Sequence, residues 1–390
     1  MDLAARERTV AWVAVLAVAW LALPAIGYRS RDPDSRLYAE ITSRMAAAPW
    51  TGWIAPDFPP GWFMTGPFRE HPVGLFVPAA LLAKLGYPAD QAAYAMNALY
   101  QAGTLLLLPV VAAALAPGLG ARSLGWLLQL LPIAFTYRVR ANQEQALLLC
   151  LVVALYGTER SRQRPALAAL TAAGFVGLLL VKGVFAVFGP ALCALWLVSR
   201  KRESAADPRP RTAWIGLALA VVAMAAAALL YEWLYRSATG EPFWSFYVSR
   251  QLGQATVPAA DHASLHEAAN VAFYLGRILW FALPWSLALL AAAWTGRAST
   301  TRAGLFVAGT LLLYVAAFSL FDRRADRYVF PAYYTAGAAG AVWALPRTPR
   351  LSRLASRLDR PWVPAALFLL TFAAHVLAGA LGVPTIKVEP

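Results

Sequence analysis

The sequence predicts an all-α polytopic membrane protein, and three observations carry that prediction. Apolar runs recur from residue 9 to residue 381, with 60% hydrophobic residues and a mean hydropathy of +0.54. No linker or long polar stretch interrupts them, which implies a single integral-membrane domain over residues 1–390. The net charge of +14 is spread over short loops between the runs. The positive-inside rule and attraction to anionic lipid account for such a pattern, whereas nucleic-acid binding calls for one basic stripe.

The first run, Thr9–Gly27, follows Arg6 and Arg8 and reads as a retained anchor with a cytoplasmic N-terminus. Eleven more runs read as helices: Val73–Gly86, Gln91–Leu115, Ser123–Thr136, Gln143–Gly157, Ala166–Val181, Val184–Ser199, Thr212–Tyr235, Ala272–Thr295, Ala303–Phe321, Tyr328–Leu345 and Trp362–Leu381. The basic loops TERSRQRP, SRKRESAADPRPR, GRASTTR and PRTPRLSRLASRLDR fall on the cytoplasmic side. Residues 28–71, Lys182, residues 236–271 and FDRRADRY then share the outer face of an inner or plasma membrane. Val73–Gly86 and Ser123–Thr136 are each short for a core of about 30 Å, so about 11–12 transmembrane helices are expected. Cys150 and Cys193 lie inside apolar runs and read as packing residues.

Chemistry concentrates in the first outer loop. Five of the chain's 20 acidic residues stand there: Asp32, Asp34, Glu40, Asp57 and Glu70. In SRLYAEITSRMA, Leu37, Ile41 and Met45 share one helical face, with Arg36, Glu40 and Arg44 on a neighbouring one, which predicts a helix lying on the membrane surface. FPPGWF reads as a rigid aromatic turn at headgroup level. Asp34 has two readings, the N-cap of the surface helix or a general base for an attacking hydroxyl, with Asp32 sharing the work or pairing with Arg29 or Arg31.

Glu70 and His71 in REHP can bind a phosphate or a metal, or simply anchor the loop. A metal needs further ligands beside Glu70, for which Asp34 and the pair His262 and His266, four residues apart in DHASLHEA, are candidates. A divalent metal is the one cofactor these residues leave open. Arg138, Arg140, Lys182, Arg250, Arg323, Arg324 and Arg327 lie on the outer face, where topology does not require cations; they can bind lipid phosphates generally or clamp one particular phosphate. Lys182 stands between two short apolar runs with almost no loop; snorkelling alone accounts for it, and a phosphate at the mouth of a cavity accounts for it better. Glu144 follows Arg140 at a span start, as an ion-pair partner or a cavity-lining acid.

These segments, in this order, resemble the GT-C superfamily of polyprenyl-phosphate-sugar glycosyltransferases, and in particular the protein O-mannosyltransferases and lipid A aminoarabinose transferases. That family opens its first outer loop with an acidic pair four residues ahead of Tyr-Ala. Asp34 stands at that place before Tyr38-Ala39, while Ser35 replaces the second acid and Asp32 is near enough to compensate. REHPVGLF is similar to the Glu-Lys-Pro or His-Pro element that ends the loop. RANQEQALLL resembles an Arg-Pro-Asp element, with Glu144 in place of Asp. VKGVFAVFGP is similar to a Thr-Lys-Gly turn, and DRRADRYVFPAYY to a basic Arg-Tyr-Leu-Pro segment. The resemblance covers roughly residues 10–345 and lacks the soluble C-terminal domain of some relatives.

The resemblance implies an inverting transferase at the outer face. It moves a hexose or pentose from a polyprenyl-phosphate-linked sugar to a glycan, lipid or protein hydroxyl. Asp34 and Asp32 are then the catalytic candidates. Lys182, Arg138, Arg140, Arg324 and Arg327 are the phosphate-binding candidates, and Tyr38, Glu70, His71, Glu144 and Arg250 the substrate-binding ones. The alternative is a polytopic transporter or flippase of an anionic or lipid-linked substrate, which predicts broken helices with polar groups near mid-membrane. A ligase acting on a lipid pyrophosphate shares the Arg-rich outer loops.

Overall fold

The protein, as a computed structural model, is described over residues 29–30, 32–62, 64–115, 126–201, 210–253, 263–295, 302–321, 324–348, 350–358, 360 and 362–381. The first apolar run, Arg31, Arg323 and His262 lie outside them. The described residues are helical almost throughout, with one isolated β-bridge between Asp57 and Pro67.

Helix α1, Pro33–Ala47, begins where Asp32 caps it and Pro33 presets its first turn. It ends where Ala48 turns extended before Pro49. Its apolar stripe is buried as its periodicity predicts: Leu37, Ile41 and Met45 are at most 3% exposed. That stripe rests on α2 (Phe76–Lys84) and α3 (Ala89–Leu115), so it packs on protein and not on lipid. Amphipathic periodicity reports a buried face without saying what buries it. In the aromatic turn, Phe58 is buried and the Trp62 indole donates to Glu40 at 3.2 Å, tying the turn to α1.

The core continues through α4 (Pro132–Arg138), α5 (Glu144–Ser161), α6 (Ala168–Lys182) and α7 (Phe188–Lys201). Small residues let α5 and α6 approach closely: a Cβ added at Gly174 would lie 2.5 Å from the Cys150 carbonyl oxygen. Residues 165–199 are helical almost without pause, yet they form a hairpin. Gly183 turns with φ +54° and ψ −112°, and a Cβ added at Gly189 would lie 2.7 Å from Leu178 and 3.0 Å from Phe175. Residues so far apart in sequence cannot touch along one straight helix rising 1.5 Å per residue. The sequence expectation of two short runs meeting at Lys182 therefore describes this region correctly.

Helix α8 (Pro210–Thr239) packs against α6 and shows its other side outward, with Leu229, Leu230 and Trp233 more than half exposed. A long apolar helix with so bare a face suits lipid and not water. The runs Ala89–Ala114 and Arg211–Thr239 are each long and apolar enough to cross a bilayer. The chain is an integral membrane protein.

Four expectations change in detail. The stretch 236–271 is largely helix and not loop: α8 extends to Thr239, α9 spans Trp244–Gly253 and α10 (Ala263–Phe281) begins well before residue 271. The expected single helix Ala272–Thr295 is two, α10 and α11 (Trp285–Trp294), bent by 113°. Pro284 stands at the bend, where it removes a backbone donor from the helical ladder. Ser123–Thr136 divides at Leu131 into a 3₁₀ turn, Trp126–Leu130, and α4. Helix α12 (Arg302–Ser319) follows the expected run, whereas Tyr328–Leu345 starts as a 3₁₀ turn, Asp326–Val329, before α13 (Phe330–Ala338). A π-helical stretch, Ala339–Ala344, then leads into Leu345–Arg347. Helices α14 (Ser352–Leu358) and α15 (Trp362–Ala380) close the described chain. Both cysteines are free.

Candidate functional site

The base of α1 fixes the first acid pair. Asp32, not Asp34, is the N-cap: its Oδ1 accepts from the Ser35 backbone amide at 3.1 Å and its Oδ2 from the Ser30 hydroxyl at 2.7 Å. Both oxygens are thus occupied locally, and the expected share in base chemistry does not follow. Its expected partner Arg29 pairs instead with Asp90 at 2.6 Å. Ser35, in place of a second acid, donates to Asn142 at 2.8 Å and accepts from the Ala141 amide at 3.0 Å. It tethers α1 to the segment leading into α5.

Asp34 is therefore released from capping, and it stands in the first turn with its side chain 37% exposed. It forms an ion pair with Arg327 from the 3₁₀ turn before α13. Arg327 is held in place from behind. Its neighbour Asp326 is buried and pairs with Arg277 of α10 at 3.0 Å, and the Asp326 carbonyl accepts from the Tyr333 hydroxyl at 2.9 Å.

A second buried pair lies close by. Lys182, at the α6 hairpin, stands 3.7 Å from Glu144 at the start of α5, with side chains 9% and 1% exposed. Neither Glu144 oxygen has a hydrogen-bond partner among the described residues. Tyr247 of α9 locks the hairpin: its hydroxyl donates to the Lys182 carbonyl at 2.8 Å and accepts from the Val184 amide at 3.3 Å. Gly183 is required there by its positive φ and because an added Cβ would meet the Tyr247 ring at 2.5 Å. The Lys182 ammonium also lies over the Phe185 and Tyr328 rings, at 4.8 and 5.9 Å from their centroids.

Glu144, Lys182, Arg327 and Tyr328 line one end of a narrow cleft of about 30 Å³ whose other walls are apolar, including Leu147, Leu178, Phe188 and Phe330. A second, apolar cleft of about 50 Å³ shares Leu151 and Pro331 with it and continues along α3, α5 and α13. The combined shape is a charged head joined to an apolar groove.

The other candidates divide. Tyr38 is buried beside this cluster, its ring 5.1 Å from that of His71 and 5.5 Å from Phe76. Burial, then the Asp34 carboxylate, holds the Tyr38 hydroxyl well above the usual phenol range. Arg140 is buried over the Tyr137 ring, 4.4 Å from its centroid. Arg138 is buried, and its Nε donates to Gln101 at 2.9 Å. Arg324 is drawn off to Asn270 at 2.5 Å. Glu70 and Arg250 pair with each other at 2.8 Å, and Arg69 pairs with Glu241, docking the end of the first loop onto α9. Among the described residues, no three His, Cys, Asp or Glu side chains converge to hold a metal, and nothing is described of the His266 side chain. The residues that sequence reasoning missed are Asp326, Arg277 and Tyr247. None lines the cleft: Tyr247 holds Lys182, Asp326 adjoins Arg327, and Arg277 holds Asp326.

No protein-family model and no curated protein sequence matches the chain. Solved structures do. ArnT from Cupriavidus metallidurans bound to undecaprenyl phosphate superposes with a TM-score of 0.64 at 19% identity, over 95% of this chain and 72% of that one. The same protein in the apo state gives 0.64 at 20% identity, over 99% and 66%. ArnT is a lipid A aminoarabinose transferase of the GT-C superfamily. The chain has the GT-C fold. It spans about two thirds to three quarters of the ArnT chain, and at this identity the likeness establishes the fold alone.

Proposed function

We propose that the protein is an inverting glycosyltransferase. It moves a sugar from a polyprenyl-phosphate donor to a hydroxyl of an outer-face acceptor. The observation that carries this reading is the pairing of Asp34–Arg327 and Lys182–Glu144 at the head of an apolar cleft. A lipid with a phosphate head complements that shape, its anionic oxygens facing Lys182 and Arg327. The ArnT fold supports the same reading, since one of its structures is bound to undecaprenyl phosphate.

In this mechanism the phosphate enters between Lys182 and Arg327, and Arg327 exchanges Asp34 for phosphate oxygens. Asp34 is thereby freed as a carboxylate and takes the proton of the acceptor hydroxyl as that oxygen attacks the anomeric carbon. The bond from that carbon to the phosphate oxygen breaks, and its electron pair stays on the polyprenyl phosphate. Lys182 and Arg327 stabilise the charge growing there. A single displacement inverts the anomeric centre. Glu144 keeps Lys182 aimed at the cleft. The first loop, residues 28–71, is the catalytic loop of a single membrane domain, with the N-terminus cytoplasmic and the site extracytoplasmic.

The 113° break between α10 and α11 is the feature a transporter would share. Ala282, Leu283 and Pro284 at that break carry no ionisable side chain, and the Ser286 hydroxyl beside it donates to the Leu279 carbonyl, so transfer remains the better reading. The test is turnover of purified protein on polyprenyl-phosphate hexoses and pentoses with hydroxyl acceptors. Release of polyprenyl phosphate with an inverted glycosidic product supports the reading. Donor carried across vesicle membranes without cleavage overturns it in favour of a flippase.

A further inference from the structure

His71 ends the first loop inside a cluster of rings. Its imidazole centroid lies 5.1 Å from Tyr38, 4.9 Å from Phe68 and 5.4 Å from Phe76, and the residue is only 4% exposed. Nδ1 stands 3.1 Å from the Pro72 carbonyl oxygen. A carbonyl oxygen only accepts, so Nδ1 carries the proton and donates. In the neutral ring Nε2 is then a bare lone pair. Burial pushes His71 down to about 4; the Pro72 carbonyl and Asp34 oppose the shift and Lys182 adds to it, so the ring is neutral at pH 7. Nε2 is itself buried, with no hydrogen-bond partner among the described residues. A buried acceptor left unpaired is costly, and its persistence calls for an explanation.

The chemistry narrows what can satisfy it. A phosphodiester has oxygen lone pairs and no proton, so it repels a neutral Nε2. A metal finds no convergent set of three ligands among the described residues. A hydroxyl group supplies the missing donor. Asp34 stands one helical turn before Tyr38 on α1, and the Tyr38 ring meets His71 at 5.1 Å, so His71 lies on the side of α1 that carries the Asp34–Arg327 pair. The group bonded directly to the phosphate proposed to bind Arg327 is the sugar.

We infer that Nε2 of His71 accepts a hydrogen bond from a hydroxyl of the donor sugar, making His71 a specificity-determining residue and not a phosphate ligand. This rests on the glycosyltransferase reading and adds to it an atom that reads the sugar.

The test compares binding of two probes to full-length protein: polyprenyl phosphate bearing a hexose or pentose, and polyprenyl phosphate alone. His71→Phe keeps a ring in the cluster and removes the acceptor. Affinity for the sugar-bearing probe should fall about tenfold while affinity for the bare phosphate stays unchanged. His71→Gln, whose amide oxygen reaches near the Nε2 position, should return the first affinity to within about threefold of wild type. Equal losses for both probes would make His71 a phosphate ligand, and no loss for either would make it packing only; both overturn the inference. Should His71→Phe not fold, ¹⁵N spectra of histidine-labelled wild type decide. The Nε2 resonance should move on adding the sugar-bearing probe and not the bare phosphate, and an unmoved resonance overturns the inference. Wild type that binds neither probe fails the glycosyltransferase reading itself, a result visible before any substitution is made.

Discussion

Two clusters of charge at the outer face contain the same residue types and behave differently. Where the first loop docks on α9, Glu70 meets Arg250 at 2.8 Å and Arg69 meets Glu241, each charge with one close opposite partner. At the cleft head Asp34 and Arg327 are in close contact, but the Lys182–Glu144 pair is looser. Lys182 and Glu144 are buried at 3.7 Å, Glu144 has no hydrogen bond among the described residues, and Asp34 remains partly exposed beside Arg327. The first arrangement is closed and reads as a fastener. The second buries charge without finishing its hydrogen bonds, which is expensive unless a ligand completes them. Partner geometry, and not residue type, separates a binding site from a brace.

The comparison breaks most visibly at Asp34. Asp34→Asn removes the proton acceptor and should lower transfer by about 10²- to 10⁴-fold while the donor still binds. Steady-state release of polyprenyl phosphate measures the first effect, and donor titration the second. Lys182→Ala should come next, weakening donor affinity by about ten- to a hundredfold, with Lys182→Arg weakening it less because the cation is kept. Wild-type affinity in both variants would remove Lys182 from the phosphate site.

A smaller effect concerns pH. His71 titrates near 4 in the folded protein and near its ordinary value of 6.5 when unfolded. Between those values the unfolded chain binds the extra proton. Folding stability should therefore fall as pH drops from about 6.5 to 4, and His71→Phe should flatten that part of the profile in detergent melting curves. The smallest effect is expected at the fastener. Replacing both Glu70 and Arg250 by Gln should change donor affinity less than about twofold and cost about 1 kcal/mol of stability, since the pair is partly exposed. A large loss of donor affinity in that double variant would erase the contrast between the two clusters.

Much of the fold is written locally. The apolar runs mark the helices, and the Lys182-Gly183 break marks the hairpin, because glycine tolerates the φ of +54° that the turn needs. Two misreadings also had local signals. In DPDS, proline at the first helical position puts the cap one residue earlier, at Asp32, and Pro284 announces the break between α10 and α11. What stayed illegible is long-range. Asp34 finds Arg327 from the far end of the chain, and Arg277 reaches Asp326 from another helix. No periodicity encodes such meetings. The same limit explains why Arg138 and Arg327, equally plausible as outer-face cations, end in different surroundings, one against Gln101 and the other at Asp34.

The most direct test of the cleft-head account measures binding and turnover on one preparation, with radiolabelled polyprenyl-phosphate sugar and wild type beside Asp34→Asn. The account predicts that both proteins bind donor alike and that only wild type releases polyprenyl phosphate. Release by Asp34→Asn at the wild-type rate would contradict it.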